Sequence, residues 1–290
     1  MAEAAVAPQT TLARSKVWRR FWKNPRTTVG VVMLVLIMLS AVFAPLLATH
    51  EPNKQNLRER LAPPSKEYYL GSDNFGRDVY SRILYGGRVS LQVGFLSVGI
   101  AVAIGSFFGL LAGFYAGWVD RVISALSDVL LALPGFLLAL AIVAALGPDI
   151  TNVMIAVGVA NVPYFVRITR SAVMSVREED FVAAALAVGS DNRRVMFKHV
   201  LPNSLSPIIV QVTLSLAGAI LTAAGLSFLG MGAQPPTAEW GAMLNSARDY
   251  LRISHWPVTF PGIAIVLTVL ALNFVGDGLR DALDPKGLTD

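Results

Sequence analysis

The chain has 290 residues, 54% of them hydrophobic and 15% charged, with a mean hydropathy of +0.57; soluble domains carry about 25% charged residues, so the composition excludes a water-soluble globular enzyme and identifies a membrane protein. Its formal net charge of +5 is no sign of nucleic-acid binding, because Lys and Arg are scattered among apolar runs instead of gathered on one face. The absence of cysteine excludes disulfide staples, thiolate zinc sites and cysteine nucleophiles.

Met1 to Leu12 lack periodic apolar content and read as a disordered tail, within an N-terminal cytoplasmic stretch over 1–26. Charge-free runs then locate the spans, because a charge at the centre of a membrane helix costs about 2.5 to 3.5 kcal/mol and about 20 apolar residues cross the hydrocarbon. The gaps Arg26 to Glu51, Arg88 to Asp120, Asp128 to Asp149, Asp149 to Arg167, Lys198 to Glu239 and Arg252 to Asp277 each admit one helix. This predicts an all-α integral membrane protein with six transmembrane helices. The first covers 27–48, an outer segment covers 49–87, and five more spans lie within 88–285, followed by a tail over 286–290. The first apolar run is longer than the roughly 7 to 15 residues of a signal-peptide core and no A-x-A site follows it, so it reads as a retained anchor.

Basic residues are retained in the cytoplasm. Arg14, Lys16, Arg19, Arg20, Lys23 and Arg26 precede the first span. Counting alternately, Arg121, Arg167, Arg170, Arg177, Arg193, Arg194, Lys198, Arg280 and Lys286 fall on the same side. Both termini are therefore expected in the cytoplasm.

Within the second span Gly105, Gly109, Gly113 and Gly117 recur every four residues, which predicts a ridge for close helix packing inside one subunit. Pro134, Pro163 and Pro207 read as kinks. Asp128 and Asp277 fall near span ends, where Arg121 and Arg280 are the expected pairing cations. Asn152, Asn161, Gln211, Thr213 and Asn273 are the candidates for a polar path through the bundle.

The loop 171–202 carries the densest local signals. Glu178, Glu179 and Asp180 favour a helix start and Gly189 a left-handed stop, predicting a helix over Glu178 to Val188. Phe181, Ala185 and Val188 would share its apolar face, with Ala183, Ala184 and Ala187 keeping the rest narrow. Asp191 caps a second short helix on which Arg193, Arg194 and Lys198 are polar and Val195 and His199 lie one turn apart; Pro202 ends it. Such a short helix either packs on its own protein or docks into a partner's groove.

Elsewhere the chain lacks the constellations of an enzyme. His50, His199 and His255 have no H-E-x-x-H spacing, no G-x-S-x-G occurs, and Gly76 is followed by Arg77 and Asp78 where a phosphate loop needs Lys and Ser or Thr. No metal site and no catalytic residue is expected. Gly71 to Arg82 reads instead as an ordered polar loop capping the mouth of the bundle. A secondary transporter would show two repeated halves with broken helices, and no such repeat is present.

The run FVAAALAVGSDNRRVMFKHVLP over 181–202 resembles the coupling loop of ABC importer permeases, whose motif is EAA, three residues, Gly, nine residues, then I-x-L-P. Ala183, Ala184, Ala185, Gly189, Leu201 and Pro202 are in register; the motif's Glu is Ala183 here and its Ile is His199. Three further segments, Tyr69 to Arg82, Gln234 to Gly241 and Gly276 to Pro285, resemble the C-type permease subunit of dipeptide and oligopeptide importers, a family that includes nickel and glutathione systems. The resemblance implies a type I importer permease fold in a bacterial or archaeal inner membrane. By the same resemblance, the chain would form half of a pore with a homologous permease subunit. Two ATPase subunits would bind ATP and Mg from below, and an extracytoplasmic solute-binding protein would deliver peptide from above; the chain itself would hold no cofactor. The coupling contacts would then come from Glu179, Phe181, Ala183, Ala184, Ala185, Gly189, Asp191, Arg193, Leu201 and Pro202, with Glu179 standing in for the missing motif Glu.

Overall fold

The computed structural model describes residues 18–283. The tail read at Met1 to Leu12, the basic residues Arg14, Lys16 and Lys286, and the segment 286–290 lie outside the described residues. Among the described residues the structure is helical, with a single isolated bridge between Ser72 and Asp78.

The long helices are α1 (Pro25–Val42), α2 (Val79–Tyr115), α3 (Gly117–Leu131), α4 (Gly135–Leu146), α5 (Ile150–Arg177), α6 (Asp180–Ala187), α7 (Leu205–Phe228), α8 (Trp240–Ala247) and α9 (Trp256–Leu283). Local chemistry sets several starts. Asn24 accepts a hydrogen bond from Arg26 N, Asp78 from Ser81 N and Asp149 from Thr151 N, each satisfying a donor that a first helical turn leaves free.

One boundary is corrected, and the kink expected at Pro134 is found. The helix of the second span starts at Val79, inside the segment 49–87, not after Arg88. Arg82 and Arg88 do not end the hydrophobic helix because protein oxygens receive them: Arg82 Nη1 donates to Pro52 O at 3.0 Å, and Arg88 donates to Ala41 O and Val42 O, each at 2.6 Å. The third span is not one rod. It breaks between α3 and α4 by 86° at Pro134, whose ring carries no N–H to continue the helical ladder. Pro207 sits in the first turn of α7, where a missing donor costs nothing, and Pro163 is buried inside α5 without a break.

Five helices are long and apolar enough to cross a membrane, and the bent pair α3–α4 makes a sixth crossing. Packing requires this. Gly105, Gly109 and Gly113 of α2 meet Phe165, Thr169 and Val173 of α5 in ascending order, so these two helices run parallel. Ser97 Oγ on α2 donates to Met154 O near the start of α5, 2.9 Å. The chain must therefore climb back from Tyr115 to the level of Ser97, about 27 Å at 1.5 Å per residue, which matches a hydrocarbon layer of about 30 Å.

The glycine ridge permits the parallel pair: a Cβ built on Gly109 would stand 2.6 Å from Val166 O, and one on Gly105 would stand 2.7 Å from Val162 O. The ridge works within the subunit, as expected. Gly117 does not join it, because it lies past the end of α2 at φ +60° with open space around it.

The bundle core combines Val93, Val98, Val153, Val157, Phe165 and Leu226 from α2, α5 and α7. One end is closed by a cap formed from residues 49–78 and 230–255, pinned where Trp240 Nε1 donates to Ile83 O at 3.0 Å and Trp256 Nε1 to Ser72 O at 3.2 Å. The other end gathers the start of α1, the end of α9 and the elbow between α5 and α7: Asn24, Arg26, Asp277 and Arg280 line one cleft there, and Arg280 shares a second with Asn203. Both ends of the described chain thus lie on the elbow's side of the bundle.

Candidate coupling site

The elbow folds as its sequence dictates. Glu179 is the extended residue before α6, and its side chain makes no capping bond, leaving the carboxylate exposed. At the far end Gly189 adopts φ +84°; Gly189 N donates to Leu186 O at 2.9 Å and Ser190 N to Ala185 O at 3.1 Å. This double bond pattern closes the helix through a left-handed residue, a conformation glycine adopts without penalty. Asp191 then accepts from Arg193 N at 3.2 Å, as expected of a cap.

Packing reverses part of the expected face. Val182, 1% exposed, and half-buried Ala185 seal α6 against Leu110 and Phe114 of α2, Val173 of α5, and Val195, Met196 and Val200 of the elbow's second limb. Phe181, 43% exposed, and Val188, 82% exposed, point outward with Ala184 instead of packing with Ala185. The second limb is also wider than expected. Residues Val195–Val200 form a π turn, so Val195 aligns inward with Val200, whereas His199 is half-buried and offers its carbonyl to Asn203 Nδ2 at 2.6 Å. Ala183, Arg193 and Pro202 are exposed, and Leu201 packs against the buried cluster.

Burying a valine such as Val182 contributes about 1.5 to 3 kcal/mol, which fastens one side of α6 to the bundle. The opposite side, Phe181, Ala184 and Val188, presents an apolar ridge without large polar side chains. Sequence reasoning missed Val182, Met196 and Val200 as the residues that hold the elbow. An eight-residue helix with no polar stripe gives periodicity nothing to orient, so only the distant Leu110, Phe114 and Val173 reveal the inward side.

Of the five polar-path candidates the structure brings two together. Asn161 and Gln211 line a cavity of about 400 Å³ with Gly135, Phe136, Tyr164 and Gly218 between α4, α5 and α7; Gln211 also borders a cavity of about 620 Å³ that reaches Asn203 and Arg280 at the elbow end. Asn161 Nδ2 donates to Val157 O at 2.8 Å, and Gln211 Nε2 donates to Ser215 Oγ at 3.0 Å. Asn152 is spent on the α4–α5 turn, donating to Leu146 O and Gly147 O at 3.1 and 3.0 Å. Thr213 donates to Val210 O at 2.8 Å and packs near Gly276, while Asn273 lines neither cavity.

The charged residues near span ends pair differently from expectation. Asp128 accepts from Arg167 Nη2 at 2.7 Å, not from Arg121, which stands seven residues away along α3 itself, about 10 Å at 1.5 Å per residue. Asp120 and Arg170 form a second, bidentate pair, with Arg170 Nη2 to Asp120 Oδ2 at 2.6 Å. Together these anchor one face of α3, while Trp118, Val122, Leu126 and Val129 lie exposed on another. Among the described residues no group of three His, Asp or Glu side chains is placed to hold a metal, and Asp277 has no ion-pair partner.

Comparison with known proteins agrees with this architecture. Residues 105–287 match the family described as binding-protein-dependent transport system inner membrane component, and residues 14–64 match the N-terminal transmembrane domain of oligopeptide transport permease C. The dipeptide transport system permease protein DppC of Alkalihalophilus pseudofirmus is 50% identical over 271 residues, covering 93% of this chain and 89% of that one. The glutathione transport system permease protein GsiD of Pectobacterium atrosepticum is 44% identical over 274 residues, covering 93% and 91%. An inward-facing MetNI methionine ABC transporter structure shares the fold at a TM-score of 0.57 and 17% identity, over 70% of this chain and 96% of that one. The chain belongs to the binding-protein-dependent inner membrane component family. It is a non-catalytic, multi-pass permease subunit of the dipeptide and oligopeptide type of ABC importer.

Proposed function

We propose that this subunit forms half of the pore of a bacterial inner-membrane importer of di- and oligopeptides, paired with a homologous permease. In this reading two ATPase subunits that bind ATP and Mg receive the elbow, and an extracytoplasmic binding protein delivers solute to the cap. The observation that carries the reading is the two-sided α6: Val182 and Ala185 bind it to the bundle while Phe181, Ala184 and Val188 face outward. Force applied to the outer side is thereby transmitted directly into α2 and α5, and α5 itself carries Asn161 to the cavity shared with Gln211 of α7. The basic residues Arg19, Arg20, Lys23 and Arg26 share the elbow's end of the bundle, which supports a cytoplasmic elbow.

The peptide assignment is supported by the named cargo of the dipeptide permease relative; the glutathione permease relative favours a second reading in which the cargo is that tripeptide. Reconstitution tests both. The chain purified from native membranes is expected to bring down ATPase subunits, and liposomes holding the whole complex should take up labelled dipeptide only with ATP and the binding protein. Uptake by the chain alone refutes the ATPase dependence, and uptake of glutathione without dipeptide selects the second reading.

A further inference from the structure

The cap buries two guanidinium groups around one carboxylate. Arg77 is 4% exposed and Arg82 3% exposed. Arg77 Nε donates to Asp73 Oδ2 at 2.7 Å, whereas Arg82 Nε stands 3.6 Å from the same oxygen, beyond hydrogen-bonding reach. Arg82 commits Nη1 to Pro52 O, Asn53 Oδ1 and Pro236 O, at 3.0, 3.0 and 3.3 Å, so it ties the two halves of the cap together; its Nε is buried with no hydrogen-bond partner. The other buried acids of the cap are engaged elsewhere. Asp78 accepts from Ser81 N, Ser81 Oγ and Thr49 Oγ1 through Oδ2, its buried Oδ1 receiving no bond among the described residues, and Glu239 accepts from Gly241 N, Ala242 N and Ser90 Oγ. Among the described residues Asp73 is thus the one carboxylate within 4.0 Å of either guanidinium, a costly arrangement for two buried cations unless a further anion completes it.

Space for that anion lies beside them. A cavity of about 80 Å³ is bounded by Phe75, Arg77, Arg82, Gln234, Asn245 and Ser246. Liquid water occupies about 30 Å³ per molecule, so the cavity has room for two or three waters or for one carboxylate group. Its lining favours an anion: the guanidinium groups of Arg77 and Arg82 can only donate, and they match the planar geometry of a carboxylate. We propose that this cavity between α8 and the Arg77–Arg82 pair is a carboxylate site of the cap. The carrier is either the C-terminus of the peptide cargo or an acidic side chain of the docked binding protein, an assignment that rests on the peptide-importer reading.

The test uses the whole importer complex in lipid nanodiscs. Ser246→Leu fills the cavity from α8 without touching a guanidinium, and Arg77→Gln removes one cation; the first keeps the test valid if the second fails to assemble. Labelled trialanine and trialanine amide are titrated without binding protein, and binding-protein affinity is measured separately. If cargo supplies the carboxylate, the acid binds the unsubstituted complex at least tenfold more tightly than the amide, and both substitutions erase the preference. If the binding protein supplies it, acid and amide bind alike and both substitutions weaken its docking at least tenfold. Either result supports the site. Should both variants assemble and leave both affinities within twofold of the unsubstituted complex, the cavity holds only water and the proposal is overturned. An unsubstituted complex that imports no peptide refutes the peptide reading, while the docking measurement still decides the site.

Discussion

Gly189 isolates the elbow's backbone from its packing. It holds φ +84° at the end of α6, and a Cβ built there meets nothing within 4 Å. Any effect of substitution must therefore come from the dihedral angle and not from a clash. An ordinary side chain in this left-handed region costs about 1 to 2 kcal/mol, least for asparagine and most for a β-branched residue. A penalty near 2 kcal/mol is a roughly 30-fold shift between the seated elbow and alternatives in which the two hydrogen bonds from Gly189 and Ser190 are lost. The assay is the ratio of ATP hydrolysed to solute imported in liposomes, for Gly189→Asn, Gly189→Ala and Gly189→Val. Coupling should fall in that order, with Asn close to the unsubstituted protein and Val nearly uncoupled, while membrane insertion stays unchanged. Normal coupling in Gly189→Val, or an Asn variant as impaired as Val, would refute the argument.

Three further outcomes are expected. Glu179→Lys should weaken co-purification of the ATPase subunits without altering the elbow's fold, because the exposed Glu179 side chain makes no capping bond to α6; unchanged assembly and transport would remove Glu179 as the stand-in for the motif Glu. Gly109→Val should destabilise the α2–α5 pair by about 1 to 3 kcal/mol through overpacking, since its Cβ would stand 2.6 Å from Val166 O, and an unaltered thermal midpoint in detergent would contradict that close approach. Burial holds the Glu239 carboxyl above its ordinary value of 4.5, against the hydrogen bonds from Gly241 and Ala242 that pull it down. The folded protein then binds this proton more tightly than the unfolded chain. Its contribution is complete below the unfolded value and is lost as pH rises through the folded one, so Glu239→Gln should flatten the decline of the thermal midpoint with rising pH.

The charge gaps of the sequence determined that this chain crosses a membrane six times, because hydrocarbon rejects ionised groups wherever they fall and leaves apolar runs readable without knowledge of the fold. Caps were equally legible: Asp191 and Gly189 act on backbone groups within a few residues, so local chemistry fixes their roles. Tertiary structure decided everything that depended on distant partners. Arg82 and Arg88 stay inside α2 because cap and α1 carbonyls receive them, and Asp128 meets Arg167 because the fold lays α3 against α5, where Arg170 also receives Asp120. Likewise Val182 faces inward and Phe181 outward because Leu110, Phe114 and Val173 stand on one side of α6, a choice that a helix apolar on both sides cannot encode in its own spacing.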